Sequence, residues 1–184
     1  MRKVAGVLVV AASMMLPVGL VATHAGAAAA TPTCKTLAGT ATFTPAIPKV
    51  GSTTKVKTTV GIKAAKLGGC TGGGVTGGTV NSTLKFGLAA NCASLLKGDS
   101  TKTAGTVSII WNTKATSTVA KATLVGVTGH PTQSTVSGPI SAGLFKGKKV
   151  SVVTNYVLPK GGCTTADLSK VTFTILKGKV LTVK

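Results

Sequence analysis

The feature that most constrains the fold of this chain is an alternation of apolar and polar residues with a period of two, which recurs from residue 55 onward. Successive side chains of a β-strand point to opposite faces, so the pattern predicts strands with one buried and one solvated face. The longest example has the inward set Val80, Ser82, Leu84, Phe86 and Leu88. Even positions from 56 to 62 form a second such set, opposite Lys55, Lys57 and Lys63.

The same pattern predicts several further strands. Val107, Ile109 and Trp111 form an inward set, which a turn at residues 112–114 separates from a returning strand over residues 116–127. Later apolar stripes comprise Val150, Val152, Tyr156 and Leu158, then Val171, Phe173 and Ile175, and finally the short segment 180–183. Turn residues recur about every eight to twelve positions, which is typical of an all-β sandwich or barrel. Helical periodicity is brief, at residues 92–97.

Residues 1–30 have the features of a secretory signal peptide. Arg2 and Lys3 precede an apolar run over residues 4–21, and small residues follow up to Ala30, which predicts cleavage at about residues 27–30. A retained membrane anchor is the alternative, because about eighteen apolar residues can just span a bilayer. We expect cleavage, since small residues and no basic cluster follow the run. Residues 31–184 would then form one secreted domain, without a later segment suited to a transmembrane helix.

All four cysteines, Cys34, Cys70, Cys92 and Cys163, lie in the predicted mature chain. An even number in an exported chain predicts two disulfides, for which three pairings are possible. We favour Cys34–Cys70 with Cys92–Cys163, because the first pair would flank a strand–turn–strand unit centred near residues 48–52.

Three stretches of the chain resemble a family of uncharacterised secreted actinobacterial proteins that have an Ig-like β-sandwich. They are residues 91–97 (NCASLLK), residues 105–112 (GTVSIIWN) continuing into 117–119, and residues 136–147 (VSGPISAGLFKG). The resemblance runs from about Cys34 to the C-terminus, and it brings no activity or site with it. It implies a single Ig-like, Greek-key antiparallel β-sandwich with two disulfides. Rows containing Phe86, Trp111, Val152 and Phe173 would fill its core.

Charge and composition restrict the function. The chain has 21 Lys and Arg residues against 2 Asp and Glu, a formal charge of +19. Without Arg2 and Lys3, the charge of +17 rests on lysines alone. Specific nucleic-acid recognition favours arginine forks and aromatic stacking, and aromatic residues make up only 3% of this chain. We therefore expect no specific nucleic-acid partner.

Catalysis also has few residues to draw on. General acid–base and metal chemistry mostly uses carboxylates and histidine, yet glutamate is missing and His130 is the only histidine of the predicted mature chain. A hydrolase would need His130, a serine, and either Asp99 or Asp167, and the chain has no Gly-x-Ser-x-Gly motif. We expect no enzyme activity, no metal and no cofactor. The glycine-rich run 68–78 lacks a phosphate-loop ending and predicts a loop beside a disulfide.

The lysines suggest a surface role. Lys55, Lys57 and Lys63 would share one strand face, and the group Lys146, Lys148 and Lys149 would crowd one turn. Such lysines either keep strand edges soluble or form a patch for anionic envelope polymers or lipid headgroups. We therefore predict a non-catalytic secreted or cell-surface module that binds anionic material. The alternatives are a small envelope β-barrel that lines a pore and, least favoured, a hydrolase that uses His130.

Overall fold

The computed structural model describes residues 30–97 and 103–184. The predicted signal peptide, apart from Ala30, lies outside the described residues, and so does Asp99. Within the two described ranges the chain forms ten β-strands and two short helices. These elements are β1 (Thr33–Ile47), β2 (Thr59–Thr71), β3 (Gly77–Phe86), α1 (Cys92–Leu96), β4 (Thr103–Trp111), β5 (Thr116–Val127), β6 (His130–Pro139), β7 (Ala142–Gly143), β8 (Lys149–Val157), α2 (Gly162–Thr165), β9 (Leu168–Ile175) and β10 (Leu181–Val183).

The main strands form one closed sheet. Strands β1 to β6, then β8 and β9, pair in antiparallel fashion in chain order, and β9 pairs back with β1 from Ala38 to Ile47. This closure makes an eight-stranded antiparallel barrel in which sequence neighbours are also neighbours in space. The short strand β7 pairs with β5. At one end of the barrel, β10 lies between β1 and β8 and pairs with both.

The predicted Ig-like, Greek-key sandwich is therefore wrong, although the all-β class is confirmed. A sandwich needs two packed sheets, whereas here a single sheet closes on itself through the β1–β9 pairing. Period-two alternation assigns one buried face to every strand in either architecture. The two differ in strand order, since a Greek key does not pair its strands in chain order, and in the closing pair of β1 with β9. No local pattern reports either feature.

Bends in the first two strands allow the sheet to curve. The β1–β2 register shifts between Ala38 and Ala41, and the β2–β3 register shifts between Ile62 and Ala65. Such irregularities bend a strand and increase its twist. Gly39 lies at the bend of β1, where an added Cβ would come within 2.6 Å of the Ala65 Cβ. The two strands can approach this closely because residue 39 has no side chain.

The barrel interior contains the core that the alternation predicts. Phe86, Trp111, Val152 and Phe173 are all buried, inside one barrel and not between two sheets. The returning strand β5 has the predicted bounds. Three details differ from prediction. Strand β2 begins at Thr59 and not at residue 55, and Leu88 lies beyond β3 with 67% of its surface exposed. The two ends of the glycine-rich run 68–78 belong to β2 and β3, so the loop is shorter than predicted.

Both favoured disulfides are present. Cys34 and Cys70 face each other across the β1–β2 pair, and the bridge Cys92–Cys163 joins α1 to α2. Two disulfides are typical of proteins from an oxidising, extracellular environment.

One end of the barrel is closed by packed side chains. Trp111 is only 1% exposed, and its indole Nε1 donates a hydrogen bond to Ser117 Oγ at 2.8 Å. The Phe145 ring meets the Trp111 ring edge-on, with centroids 5.5 Å apart. Phe145 also packs so tightly on Gly73 that a Cβ there would lie 2.6 Å from the ring. The glycine-rich run thus supplies the β2–β3 turn that covers this closed end, beside the Cys34–Cys70 bridge.

Candidate functional site

The opposite end of the barrel is open and leads into a cavity, which we call the mouth cavity. Its volume is about 120 Å³, and its lining is mostly apolar. The lining comes from the strand ends and connections at this end, and includes Phe43, Phe86, Val127, Leu158 and Val171. Phe43, Phe86 and Val171 point inward because alternate residues of each strand face the barrel interior.

A second cavity, the inner cavity, lies deeper in the barrel. It has a volume of about 50 Å³ and is lined by apolar residues that include Leu37, Leu84, Val107, Val152 and Phe173. The two cavities adjoin, because Ile62, Leu124 and Tyr156 line both of them. For comparison, an apolar protein cavity of about 150 Å³ can bind benzene. Taken together, the mouth and inner cavities have about the volume of such a site, which is room for one small molecule.

Helix α1 forms part of the rim of the mouth cavity. Asn91 caps this helix. Its side-chain Oδ1 accepts a hydrogen bond from the backbone amide of Ser94 at 3.0 Å, and its backbone amide donates to Ser94 Oγ at 3.2 Å. The cap presents Leu95 and Leu96 to the cavity. Cys163, which also lines the mouth, ties α2 covalently to this helix. The rim is thus fixed by a helix cap and a disulfide.

A small group of hydrogen-bonded polar residues lies at the junction of the two cavities. The Tyr156 hydroxyl bonds with the side chains of Ser134 and Thr154, and Thr154 Oγ1 donates to the Ser134 carbonyl at 3.2 Å. Burial raises the pKa of Tyr156 above its usual value of 10.0, and the two hydrogen bonds lower it by less. The phenol is therefore uncharged at neutral pH and available as a hydrogen-bonding group.

Ser82 differs from the other buried polar side chains of the described residues because its hydroxyl has no hydrogen-bond partner. It is 7% exposed, and it lines the inner cavity. An unpaired buried hydroxyl costs about 1–3 kcal/mol. The sequence pattern places Ser82 correctly on the inward face but assigns it no role. In the sequence, this position is marked by a single hydroxyl residue within the apolar inward stripe of β3.

Of the histidine and aspartates that a hydrolase would use, the structure describes His130 and Asp167. His130 begins β6 and lies exposed at the rim of the mouth cavity. Asp167 Oδ1 accepts a hydrogen bond from the Lys49 amide at 3.0 Å, which is a loop contact, and Asp99 lies outside the described residues. Within residues 30–97 and 103–184, no three His, Cys, Asp or Glu side chains gather as metal ligands would. The expected absence of enzyme activity therefore stays a prediction, with a hydrolase that uses His130 as its least favoured alternative.

The six predicted patch lysines are all exposed, but they form two separate groups. Lys55 and Lys57 precede β2 at the mouth end, and Lys63 lies within β2. Lys146, Lys148 and Lys149 lie at the closed end, where the backbones of Lys149 and Lys184 hydrogen-bond to each other. The structure therefore does not bring the six lysines together into one patch. Among the described residues, no helix has the length and apolar character needed to cross a membrane.

The fold and the cavity define the class: a small, closed, antiparallel β-barrel stapled by two disulfides, with an apolar interior that opens at one end. Searches of protein-family models, curated proteins and solved structures find no match to the chain. Membership of the actinobacterial family that the sequence resembles stays a prediction.

Proposed function

We propose that this protein is a non-catalytic, exported binding protein that holds one small, mostly apolar ligand inside its barrel. The observation that carries the proposal is the apolar mouth cavity together with the inner cavity that adjoins it toward the barrel centre. A barrel of eight strands has an interior that side chains just fill or that holds one small ligand. Here the closed end is filled by Trp111 and Phe145, whereas the mouth end keeps open space.

The composition of the lining supports ligand binding. Small-molecule sites are usually concave and apolar, with a few polar groups that orient the ligand. Apolar side chains make up most of the wall here, and the polar members of the inner cavity are Ser82, Thr154 and Tyr156. Uptake of an apolar molecule would remove its surface and that of the wall from water, which is favourable by about 25 cal/mol per Å².

The pore alternative also predicts a β-barrel, but its distribution of polar and apolar residues is the opposite of the one observed here. A membrane pore needs a polar lumen and an apolar outer band. In this barrel the lumen is apolar, whereas outward positions such as Lys63, Lys66 and Lys85 are exposed lysines. We therefore propose ligand binding and not conduction. Binding of anionic envelope polymers or lipid headgroups by the lysines remains a separate prediction, which retention on such material across a salt series would test.

The test uses two small probes of different shape, toluene and n-hexane, with binding followed by the NMR shifts of the methyl groups. We expect saturable shifts in wild-type protein. Ile62→Trp should weaken binding at least about tenfold, a loss of about 1.4 kcal/mol, because residue 62 lines both cavities. The matched control is Ile110→Trp on the outer surface, where Ile110 is 38% exposed. It should change the affinity by less than about twofold, as surface substitutions usually have small effects.

Folding of the variants is checked by cooperative thermal unfolding, and Ile62→Phe replaces Ile62→Trp if the larger side chain prevents folding. Absence of saturable shifts with both probes in wild-type protein would refute the proposed function. Equal affinity of the Ile62 and Ile110 variants would place the ligand outside the barrel and would also refute it.

A further inference from the structure

We propose that Ser82 is the group that recognises the ligand's polar end, so that the ligand is an uncharged molecule with a hydroxyl or carbonyl oxygen at its inner end. This inference rests on the proposed function and names the chemical class of the ligand. The observation that carries it is a hydroxyl that is 7% exposed, faces the inner cavity and has no hydrogen-bond partner.

The position of Ser82 explains why the protein itself leaves the hydroxyl unpaired. On β3 it lies opposite Ile62 of β2 and Val107 of β4, both of which have apolar side chains that line the same cavity. Val80 and Leu84, the next inward residues along β3, are apolar as well. A hydroxyl surrounded in this way finds its hydrogen bond in whatever enters the cavity.

The other buried hydroxyls of the cavity do not have this property. Thr154 Oγ1 donates to the Ser134 carbonyl at 3.2 Å, and the Tyr156 hydroxyl bonds with the side chains of Ser134 and Thr154. These three residues satisfy one another at the junction of the two cavities. Among the buried side chains of the described residues, Ser82 is therefore the one whose hydroxyl makes no hydrogen bond and is free to bond a ligand.

The surroundings of Ser82 also restrict the chemistry of that ligand. A serine hydroxyl can donate to a carbonyl, ether or hydroxyl oxygen, and it can accept from a hydroxyl. A carboxylate or ammonium group would need a charge partner once buried, and the residues that line the inner cavity include no charged side chain. The geometry therefore favours alcohols, phenols, ketones and aldehydes over acids and amines.

Two isosteric pairs of probes test the inference: phenol against toluene, and 1-pentanol against n-hexane. In each pair a hydroxyl replaces a methyl group at constant size. Ser82→Ala should weaken phenol and 1-pentanol about three- to tenfold, the range expected for one lost hydrogen bond. The same variant should leave toluene and n-hexane within about twofold, because the apolar wall remains intact.

The matched control is Ser108→Ala, the same substitution on the neighbouring strand β4. Ser108 pairs with Asn81, so it lies beside the pair formed by Ser82 and Val107 but alternates to the outer face. It should leave all four affinities unchanged. Equal losses of phenol affinity in both variants would overturn the inference.

A stability measurement separates recognition from a structural role. Ser82→Ala removes an unpaired buried hydroxyl, so the Tm of the free protein should stay the same or rise. A clear fall in Tm would show that Ser82 bonds within the protein, and would overturn the inference. If toluene binds but Ser82→Ala leaves the phenol affinity unchanged, the inference fails and the proposed function stands. If neither toluene nor n-hexane binds wild-type protein, the proposed function itself fails.

Discussion

Single residues decide what the barrel interior can recognise. Most of the inner cavity is apolar, so its three hydroxyl-bearing residues, Ser82, Thr154 and Tyr156, stand out. Tyr156 is satisfied by Ser134 and Thr154, whereas Ser82 is not satisfied. Tyr156 is thus a fixed part of the wall, whereas Ser82 has a hydroxyl that could still form a hydrogen bond.

Tyr156 leads to a prediction about pH. The chain contains one tyrosine, so tyrosinate absorbance reports on this residue alone. Because burial raises its pKa above 10.0, the folded protein should titrate at a higher midpoint than the protein unfolded in denaturant. The associated stability is fully present below pH 10 and is lost as the pH rises through the folded pKa. A midpoint at or below 10 in the folded protein would contradict this account.

A comparison with Tyr156→Phe separates this effect from the titration of the many lysines. Above pH 10 the wild-type free energy of unfolding should fall more steeply than that of the variant, because only the wild type has a buried phenol that releases its proton to water on unfolding. Parallel pH profiles for the two proteins would show that the tyrosine contributes nothing to alkaline unfolding.

Alternation predicts the face on which a residue lies but not its partners. It places Ser82 inward because Val80 and Leu84 share its parity. Whether a hydroxyl is satisfied depends on residues that the fold brings across from other strands, such as Ile62 and Val107. That information is absent from the local pattern, so the role of Ser82 follows only from the structure.

Among the secondary-structure elements, the positions of strands and turns can be predicted from the local sequence, whereas the closure of the barrel cannot. The inward set of β4, the turn after it and the bounds of β5 all follow from residues near one another in the chain. Closure depends on β1 and β9, where Ala38 pairs with Thr174. A sandwich and a barrel use the same strands with the same alternation, so the sequence pattern could not separate them.

The two disulfides brace different ends of the barrel, and this gives a prediction. Their sequence separations of 36 and 71 residues correspond to about 4 kcal/mol each in the chain-entropy model. Replacing either pair with alanine should therefore lower the free energy of unfolding by a similar amount. Loss of Cys92–Cys163 should also weaken toluene binding, because this bridge holds α1 at the rim of the mouth cavity.

Loss of Cys34–Cys70 is the internal control, since neither cysteine lines either cavity. Both double variants are compared by chemical denaturation and by toluene titration at a temperature where each remains folded. A larger loss of toluene affinity in the Cys34/Cys70 variant than in the Cys92/Cys163 variant would contradict the assignment of the mouth.

The whole molecule is asymmetric along the barrel axis. Trp111, Phe145 and the glycine-rich turn close one end, whereas the other end opens beside α1 into apolar space. Composition predicts the excess of lysine on the exterior, and the even number of cysteines predicts two disulfides. It cannot predict an internal cavity, because a cavity is the space that side chains of distant strands fail to fill.

The most direct measurement of the central claim is a set of intermolecular NOEs between bound toluene and the protein's methyl groups. If the ligand lies within the barrel, the NOEs should reach Ile62 and Leu124, which line both cavities, and should be absent from Ile110 on the outer face of β4. NOEs confined to exposed residues such as Leu88 and Val157, with none to Ile62 or Leu124, would contradict the account.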